Sequence, residues 1–336
     1  MSSKWWLVLA ASGLLAFGAA ACGDDDDDDG GGSSDLSGSI RIDGSSTLAP
    51  LTEAVAEKFN EENSGVDVTV GTSGTGGGFE KFCAGETDAN DASEAIDEET
   101  VAICQKNGVE YAELQVANDA LTVVANPNNP VTCLTVDQLK SVWEKGSTLK
   151  NWSEIQGLDP AFDSELALYG PGSDSGTFSF FTEAINGEED AQRTDYNDVG
   201  EDDNATVTGV AGADGGMGYF GYSFFVENEG TIKALEIDGG GGCVAPSEET
   251  VQDSTYTPLA RPLFIYPSAD ALARPEFDAF LQYYVDNVND IASQVGFIGL
   301  TDEQLSESKT ELEGLIGTGG GAAGGADTTG GAETTG

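Results

Sequence analysis

The sequence predicts an α/β fold of two lobes with a cleft between them. Three observations lead there. Short strand-like and helix-like stretches alternate along most of the chain. Two extended apolar stretches, at residues 121–125 and 258–267, read as chain crossings between lobes. Three turns rich in Ser, Thr and Gly each open a predicted helix: Gly44-Ser45-Ser46-Thr47, Ser73-Gly74-Thr75-Gly76-Gly77-Gly78 and Ser173-Asp174-Ser175-Gly176-Thr177. Such turns aim backbone N–H groups and hydroxyls from the positive end of a helix dipole, an arrangement that suits an anion.

Residues 39–43 alternate as a strand and end at the first turn. A helix over residues 48–60 follows, with Leu51, Val55 and Phe59 at helical spacing. Residues 66–70 form a second strand that leads into the glycine-rich turn and a helix containing Phe79 and Phe82. The alternation continues through residues 101–106 and 111–116, which implies largely parallel sheets. After the first crossing, a helix is predicted at residues 136–143. A strand at 165–169 then ends at the third turn, and a helix follows over 178–185. The return strand at 258–267 leads to a long helix at 270–288. Two crossings make a clam-like pair of lobes, and ligands of α/β proteins bind in such clefts.

The N-terminus reads as a secretory signal. Lys4 precedes an apolar stretch, and Cys22 follows three alanines. This pattern resembles a lipoprotein signal, with cleavage before Cys22 and lipid attachment to its sulfur; Ala19 stands where Leu is usual. The alternative is an ordinary signal peptide with an incidental Cys. Six aspartates at positions 24–29 and a Gly/Ser run form a solvated tether. The expected organisation is therefore signal 1–21, tether 22–37, lobe 1 from 38–118 plus 262–315, lobe 2 from 119–261, and a Gly/Ala/Thr tail at 316–336.

Thirteen Lys and Arg against 60 Asp and Glu give a formal charge of −47. No basic patch is available for nucleic acid. Four further cysteines lack Cys-x-x-Cys spacing, so a metal site is not expected. In an exported chain they suggest two disulfides with three pairings. Local closure favours Cys83–Cys104 and Cys133–Cys243, with buried free thiols as the alternative. The chain has no histidine. That removes His-based triads, His-ligated metals and His general bases. Residues 71–78 lack the Lys of a nucleotide P-loop. Carboxylate-only catalysis stays open, but no acidic pair stands out.

What survives is binding of a tetrahedral oxyanion by neutral donors. Ser45, Ser46, Thr47, Ser73, Thr75, Ser175 and Thr177 are the right type. Helix N-capping is the bland use of any one of these turns; three with adjacent glycines favour a site.

The stretches Asp43-Gly-Ser-Ser-Thr-Leu-Ala-Pro50, Gly71-Thr-Ser-Gly-Thr-Gly-Gly-Gly-Phe79 and Asp174-Ser-Gly-Thr-Phe178 resemble the phosphate-binding lipoproteins of bacterial ABC importers, the PstS family. Leu134-Thr-Val-Asp-Gln-Leu-Lys140, Asn151-Trp-Ser-Glu154, Gly218-Tyr-Phe-Gly-Tyr222 and Arg261-Pro-Leu-Phe264 extend the likeness in the same order. The resemblance implies a class II periplasmic-binding-protein fold, two α/β lobes joined by a two-strand hinge. It implies no enzyme activity and no cofactor. It also implies a lipid-anchored extracytoplasmic monomer that delivers phosphate to a membrane permease.

Carried over by position, Thr47, Ser73, Ser175, Gly176 and Thr177 match the family's donors, with Ser46, Thr75 and Ser93 beside them. Two departures stand out. One branch has an Arg four residues before the Ser-Gly-Thr, where this chain has Pro171; Arg193 is the expected replacement, with a surface salt bridge as its alternative use. The same branch has an Asp at the place of Ser93. Asp91 is then the expected carboxylate, accepting a proton from phosphate and repelling sulfate. Glu94 is a further departure. Alternative readings are a receptor for sulfate or molybdate, a metal-dependent phosphatase, and a surface protein that keeps the fold without transport.

Overall fold

The computed structural model describes residues 36–318. The signal, Cys22 and the aspartate run lie outside them, as does the tail beyond Thr318. The first stretch runs β1 (Gly38–Gly44), α1 (Ala49–Glu62), β2 (Val66–Val70), α2 (Thr75–Cys83), β3 (Ala89–Ala92), α3 (Glu98–Asn107) and β4 (Leu114–Ala125). The middle of the chain holds β5 (Cys133–Thr135), α4 (Val136–Trp143), β6 (Ala167–Gly170), α5 (Gly176–Phe181), β7 (Asn197–Asp198), α6 (Asp203–Gly212), β8 (Gly216–Gly221), α7 (Tyr222–Glu227), β9 (Lys233–Ala234), β10 (Glu236–Asp238), β11 (Cys243–Val244) and α8 (Glu248–Gln252). The chain returns through β12 (Ala260–Pro267), α9 (Ala269–Leu272), α10 (Pro275–Gln294) and α11 (Asp302–Thr318).

The α/β class and the periplasmic-binding-protein architecture hold. The strand order β2-β1-β3-β12-β4-β8-β6-β7, with β9 also on β4, forms a nine-stranded sheet, and β11-β10-β5 forms a small second one. The sheet is less parallel than the alternation implied. β1 runs parallel to β2 and β3, and β6 runs parallel to β7 and β8. At the centre, however, β12 is antiparallel to both β3 and β4, and β4 is antiparallel to β8 and β9. The two crossing strands travel in opposite directions, so they must pair antiparallel.

β4 explains why its sequence was hard to divide. It is one 12-residue strand, buried along nearly its whole length, so residues 114–125 show little alternation. Its Leu114, Val116 and Ala117 join a core with β1, α1, β12 and α10, built on Ile40, Leu51, Phe59, Ile265 and Phe280. Its Leu121, Val123 and Ala125 join another with Trp143, Trp152, Phe181 and Tyr219. A single strand thus threads the two larger hydrophobic cores.

Local signals account for most boundaries. Thr135 and Gln138 form a reciprocal capping box at α4. The expected helix at 270–288 is two helices, because Pro275 has no N–H and keeps Arg274 extended at the break. The expected helix at 178–185 starts at Gly176, and residues 182–186 widen into a π-turn closed by Gly187. Helix α11 had no predicted counterpart and extends three residues into the segment expected as tail.

Both expected disulfides are present, Cys83–Cys104 and Cys133–Cys243. The second ties β5 to β11 across 110 residues of chain. Cys243 is exposed and Cys133 half-buried, so the packing lost with them is small. Closure of so long a loop contributes about 5 kcal/mol in the chain-entropy account. Replacing both cysteines by alanine should lower the urea-unfolding free energy by an amount approaching that figure, with the m-value rising as the unfolded chain expands.

Candidate functional site

The three Ser/Thr/Gly turns converge because each follows the carboxyl end of a strand in the parallel parts of the sheet, where crevices form. The first follows β1, the second links β2 to α2, and the third links β6 to α5. Together with the segment after β3 they enclose a cleft of about 500 Å³. Its walls include Ser46, Thr47, Ser73, Thr75, Ser93, Glu94, Gly176, Ser179, Phe180, Glu183 and Arg261.

Packing fixes the first turn. Gly44 has φ +140°, and a Cβ there would lie 2.0 Å from the Asp91 carbonyl oxygen. Only glycine lets the chain turn so close to β3. The Ser45 amide then donates to that carbonyl at 2.8 Å, and the buried Ser45 hydroxyl accepts from the Thr47 amide at 3.2 Å. In the second turn, Thr75 Oγ1 accepts from the Ser93 amide at 3.1 Å and lies 3.2 Å from Ser93 Oγ. This pair joins the start of α2 to the end of β3. In the third, Ser175 caps α5, its Oγ accepting from the Thr177 amide at 3.3 Å. A Cβ on Gly176 would sit 3.8 Å from Thr47 Oγ1, so the third turn faces the first across the cleft.

Of the ten ligand residues expected, Ser46, Thr47, Ser73, Thr75, Ser93 and Gly176 line the cleft. Ser175 and Thr177 stand directly beside Gly176, with the Ser175 side chain turned to its capping bond. Arg193 and Asp91 are elsewhere.

Arg193 is 3 % exposed and fully engaged away from the cleft. Its Nε and Nη2 donate to the two Asp195 oxygens at 2.6 and 3.0 Å. Nη1 donates to the carbonyls of Val142 and Leu149 at 3.0 and 3.1 Å. The pairing holds the Asp195 carboxyl well below the usual carboxylate range, through hydrogen bonds from Arg193 first and Lys150 second. Arg193 therefore clamps the loop after α4. The cleft arginine is Arg261, on β12. It sits directly opposite Asp119 in the β4–β12 register, with Nε donating to Asp119 Oδ2 at 3.2 Å. Its Nη2 donates to Thr47 Oγ1 at 2.8 Å, and the guanidinium lies over the Phe180 ring at 3.6 Å. Arg261 belonged to a stretch of the family resemblance, but a partner 214 residues away gives no spacing signal.

Asp91 lies inside the first core. Its side chain is fully buried, and neither carboxylate oxygen has a hydrogen-bond partner. The neighbouring Thr52 hydroxyl pairs with Tyr284 Oη at 3.0 Å. Burial, reinforced by the charge of Asp43, pushes the Asp91 carboxyl up to about 8 against a weaker opposing pull from Thr52. The carboxylates that do reach the cleft are Glu94, Glu183 and Glu189. Glu94 is raised by partial burial first and by Glu183 second, with Arg261 opposing.

The fold and this cleft define a substrate-binding protein of the periplasmic type. A sequence profile of the PBP superfamily domain matches residues 30–288. Protein SphX of Synechocystis is 43 % identical over 290 residues, covering 85 % of each chain. The phosphate-binding protein PstS of Staphylococcus saprophyticus is 34 % identical over 283 residues, covering 83 % of this chain and 86 % of the relative. The crystal structure of a "possible phosphate binding protein" from Planctomyces limnophilus superposes with a TM-score of 0.80 at 40 % identity, covering 84 % of this chain and 99 % of that one. The chain belongs to the PstS family within the PBP superfamily.

The state of Asp91 has a measurable consequence. The folded protein holds its proton more tightly than the unfolded chain does. Its contribution to stability is therefore complete below the ordinary value of 3.8 and is lost as pH rises towards about 8. Asp91→Asn should flatten that part of the stability–pH curve, so that the variant gains on the parent protein as pH rises from about 4 to about 8 and no further above that. Urea unfolding across the range checks it, and parallel curves would place the titration elsewhere.

Proposed function

We infer that this protein is the extracytoplasmic binding component of a phosphate ABC importer, taking inorganic phosphate in the cleft and presenting it to a membrane permease. One observation carries the reading. Three turns rich in hydroxyls and backbone amides meet around Arg261 of the cleft wall, a set that suits a small tetrahedral anion. The substrate-binding proteins to which the chain is related support it, among them those described as phosphate-binding. Among the described residues, no helix is long and apolar enough to cross a membrane. Attachment through a lipidated Cys22 and a monomeric state are parts of the proposal.

In this reading Ser46, Thr47, Thr75, Ser93 and the Gly176 amide surround the anion, and Arg261 supplies the charge. Asp91 is replaced in its proposed role by Glu94, the carboxylate on the cleft wall. An ionised Glu94 tolerates an anion beside it only with a proton between them, which penalises sulfate. Residues 38–118 with 262–315 form one lobe and 119–261 the other. Closure bends the paired strands β4 and β12.

Isothermal calorimetry tests the reading directly. Phosphate should bind at one site, and sulfate at the same ionic strength should give little heat. Arg261→Ala should weaken phosphate roughly 10- to 100-fold, the loss of a charge-assisted hydrogen bond. Arg193→Ala should leave affinity unchanged in the folded protein while costing about 2 kcal/mol of stability through the carbonyls it abandons. Equal losses of affinity in the two variants would overturn the assignment of Arg261.

A further inference from the structure

Ser73 is expected from the family likeness to donate to the anion, yet both of its donors are already engaged. Its hydroxyl donates to Asp43 Oδ1 at 2.6 Å, and its backbone amide donates to the same oxygen at 3.0 Å. Asp43 is itself firmly held. The Gly44 amide donates to Oδ1 at 2.8 Å, and Lys81 of α2 pairs with Oδ2. Gly71 makes room for this carboxylate, since a Cβ there would lie 2.7 Å from Oδ2. Burial alone would raise the Asp43 carboxyl, but hydrogen bonds from Lys81, then Ser73, then Gly44 outweigh it and hold the group at about 2. The acceptor of the serine proton is therefore ionised throughout the working range.

A hydroxyl carries one proton and two lone pairs. With the proton committed to an anchored carboxylate, Ser73 can offer the cleft only a lone pair. We propose that Ser73 is a specificity-determining residue that accepts a hydrogen bond from a hydroxyl of the bound anion, and that Asp43 is the positioning residue that fixes it in this role. The inference rests on the phosphate reading of the cleft and deepens it. Dihydrogen phosphate, abundant at neutral pH, has two P–OH groups to give, one for Glu94 and one for Ser73, whereas sulfate has none. Sulfate would set an oxygen lone pair against that of Ser73, or would have to pull the serine proton away from Asp43. Discrimination of this kind comes from a mismatch imposed on the wrong ligand. Beside the carboxylates of the cleft, Ser73 adds an uncharged acceptor on the α2 side.

The test compares phosphate and sulfate on the full-length protein, with sulfate measured as a competitor of phosphate. Ser73→Ala should weaken phosphate about tenfold and leave sulfate unchanged or slightly stronger, so that the ratio of affinities falls about tenfold. Asp43→Asn releases the serine proton towards the cleft, and the same ratio should fall again, now mainly through a gain by sulfate. If Ser73→Ala weakens both anions by one factor, Ser73 is an ordinary donor and the proposal is overturned. An unchanged ratio in either variant overturns it as well. Absence of phosphate binding in the parent protein would instead remove the phosphate reading itself.

Discussion

The antiparallel pairing of β4 with β12 is the contact on which the rest of the structure depends. The sheet passes from one hydrophobic core to the other through this pair, and β4 contributes apolar side chains to both. The register places Arg261 opposite Asp119 at the point where the strands pass beneath the cleft. Every other contact of Arg261 follows from that placement. From β12 it reaches Thr47 in the first turn and lies against Phe180 in α5. One guanidinium on the crossing thus touches the elements on either side of the cleft. A change in the angle between the lobes must act on it, which links ligand charge to closure.

A chain of charge −47 binding an anion presents an electrostatic problem only if distant charges matter as much as near ones. They do not. Exposed charges are screened over about 8–10 Å at physiological salt. Hydroxyls and amides at hydrogen-bond distance act in a half-closed cleft where the effective dielectric is lower. Local geometry therefore governs, and it can impose acceptors as well as donors. The cleft holds Glu94, Glu183 and Glu189 against Arg261 alone, so it is not a generic anion trap. A ligand there must satisfy donors and tolerate acceptors, and a protonated oxyanion does both.

Much of this was legible in the sequence, for physical reasons. Strands and helices with clear periodicity, such as β2 and α4, fell where the residues placed them. The turns were recognisable because glycine and hydroxyl residues are needed together at strand ends that meet a ligand. Two disulfides followed from local closure. Asp91 was not assignable because β3 is buried on both faces, so alternation could not tell cleft from core. Arg193 was expected in the cleft and Arg261 was not, because an arginine near a motif carries no record of its partners. Only the fold shows that Val142, Leu149 and Asp195 occupy one guanidinium, while Thr47 and Asp119 orient the other. Ser73 shows the opposite case. Its residue type and position were clear, but the direction of its hydrogen bond depends on Asp43, 30 residues earlier.

The central claim is that the cleft beside β4 and β12 holds phosphate through the hydroxyls and amides of its three turns and Arg261. A crystal structure of the protein grown with phosphate tests it most directly. The account predicts one tetrahedral anion within hydrogen-bond distance of the Thr47 and Thr75 hydroxyls and of the Arg261 guanidinium. Arg193 should remain paired with Asp195. An anion bound at Arg193, or a cleft free of anion in crystals saturated with phosphate, would contradict it.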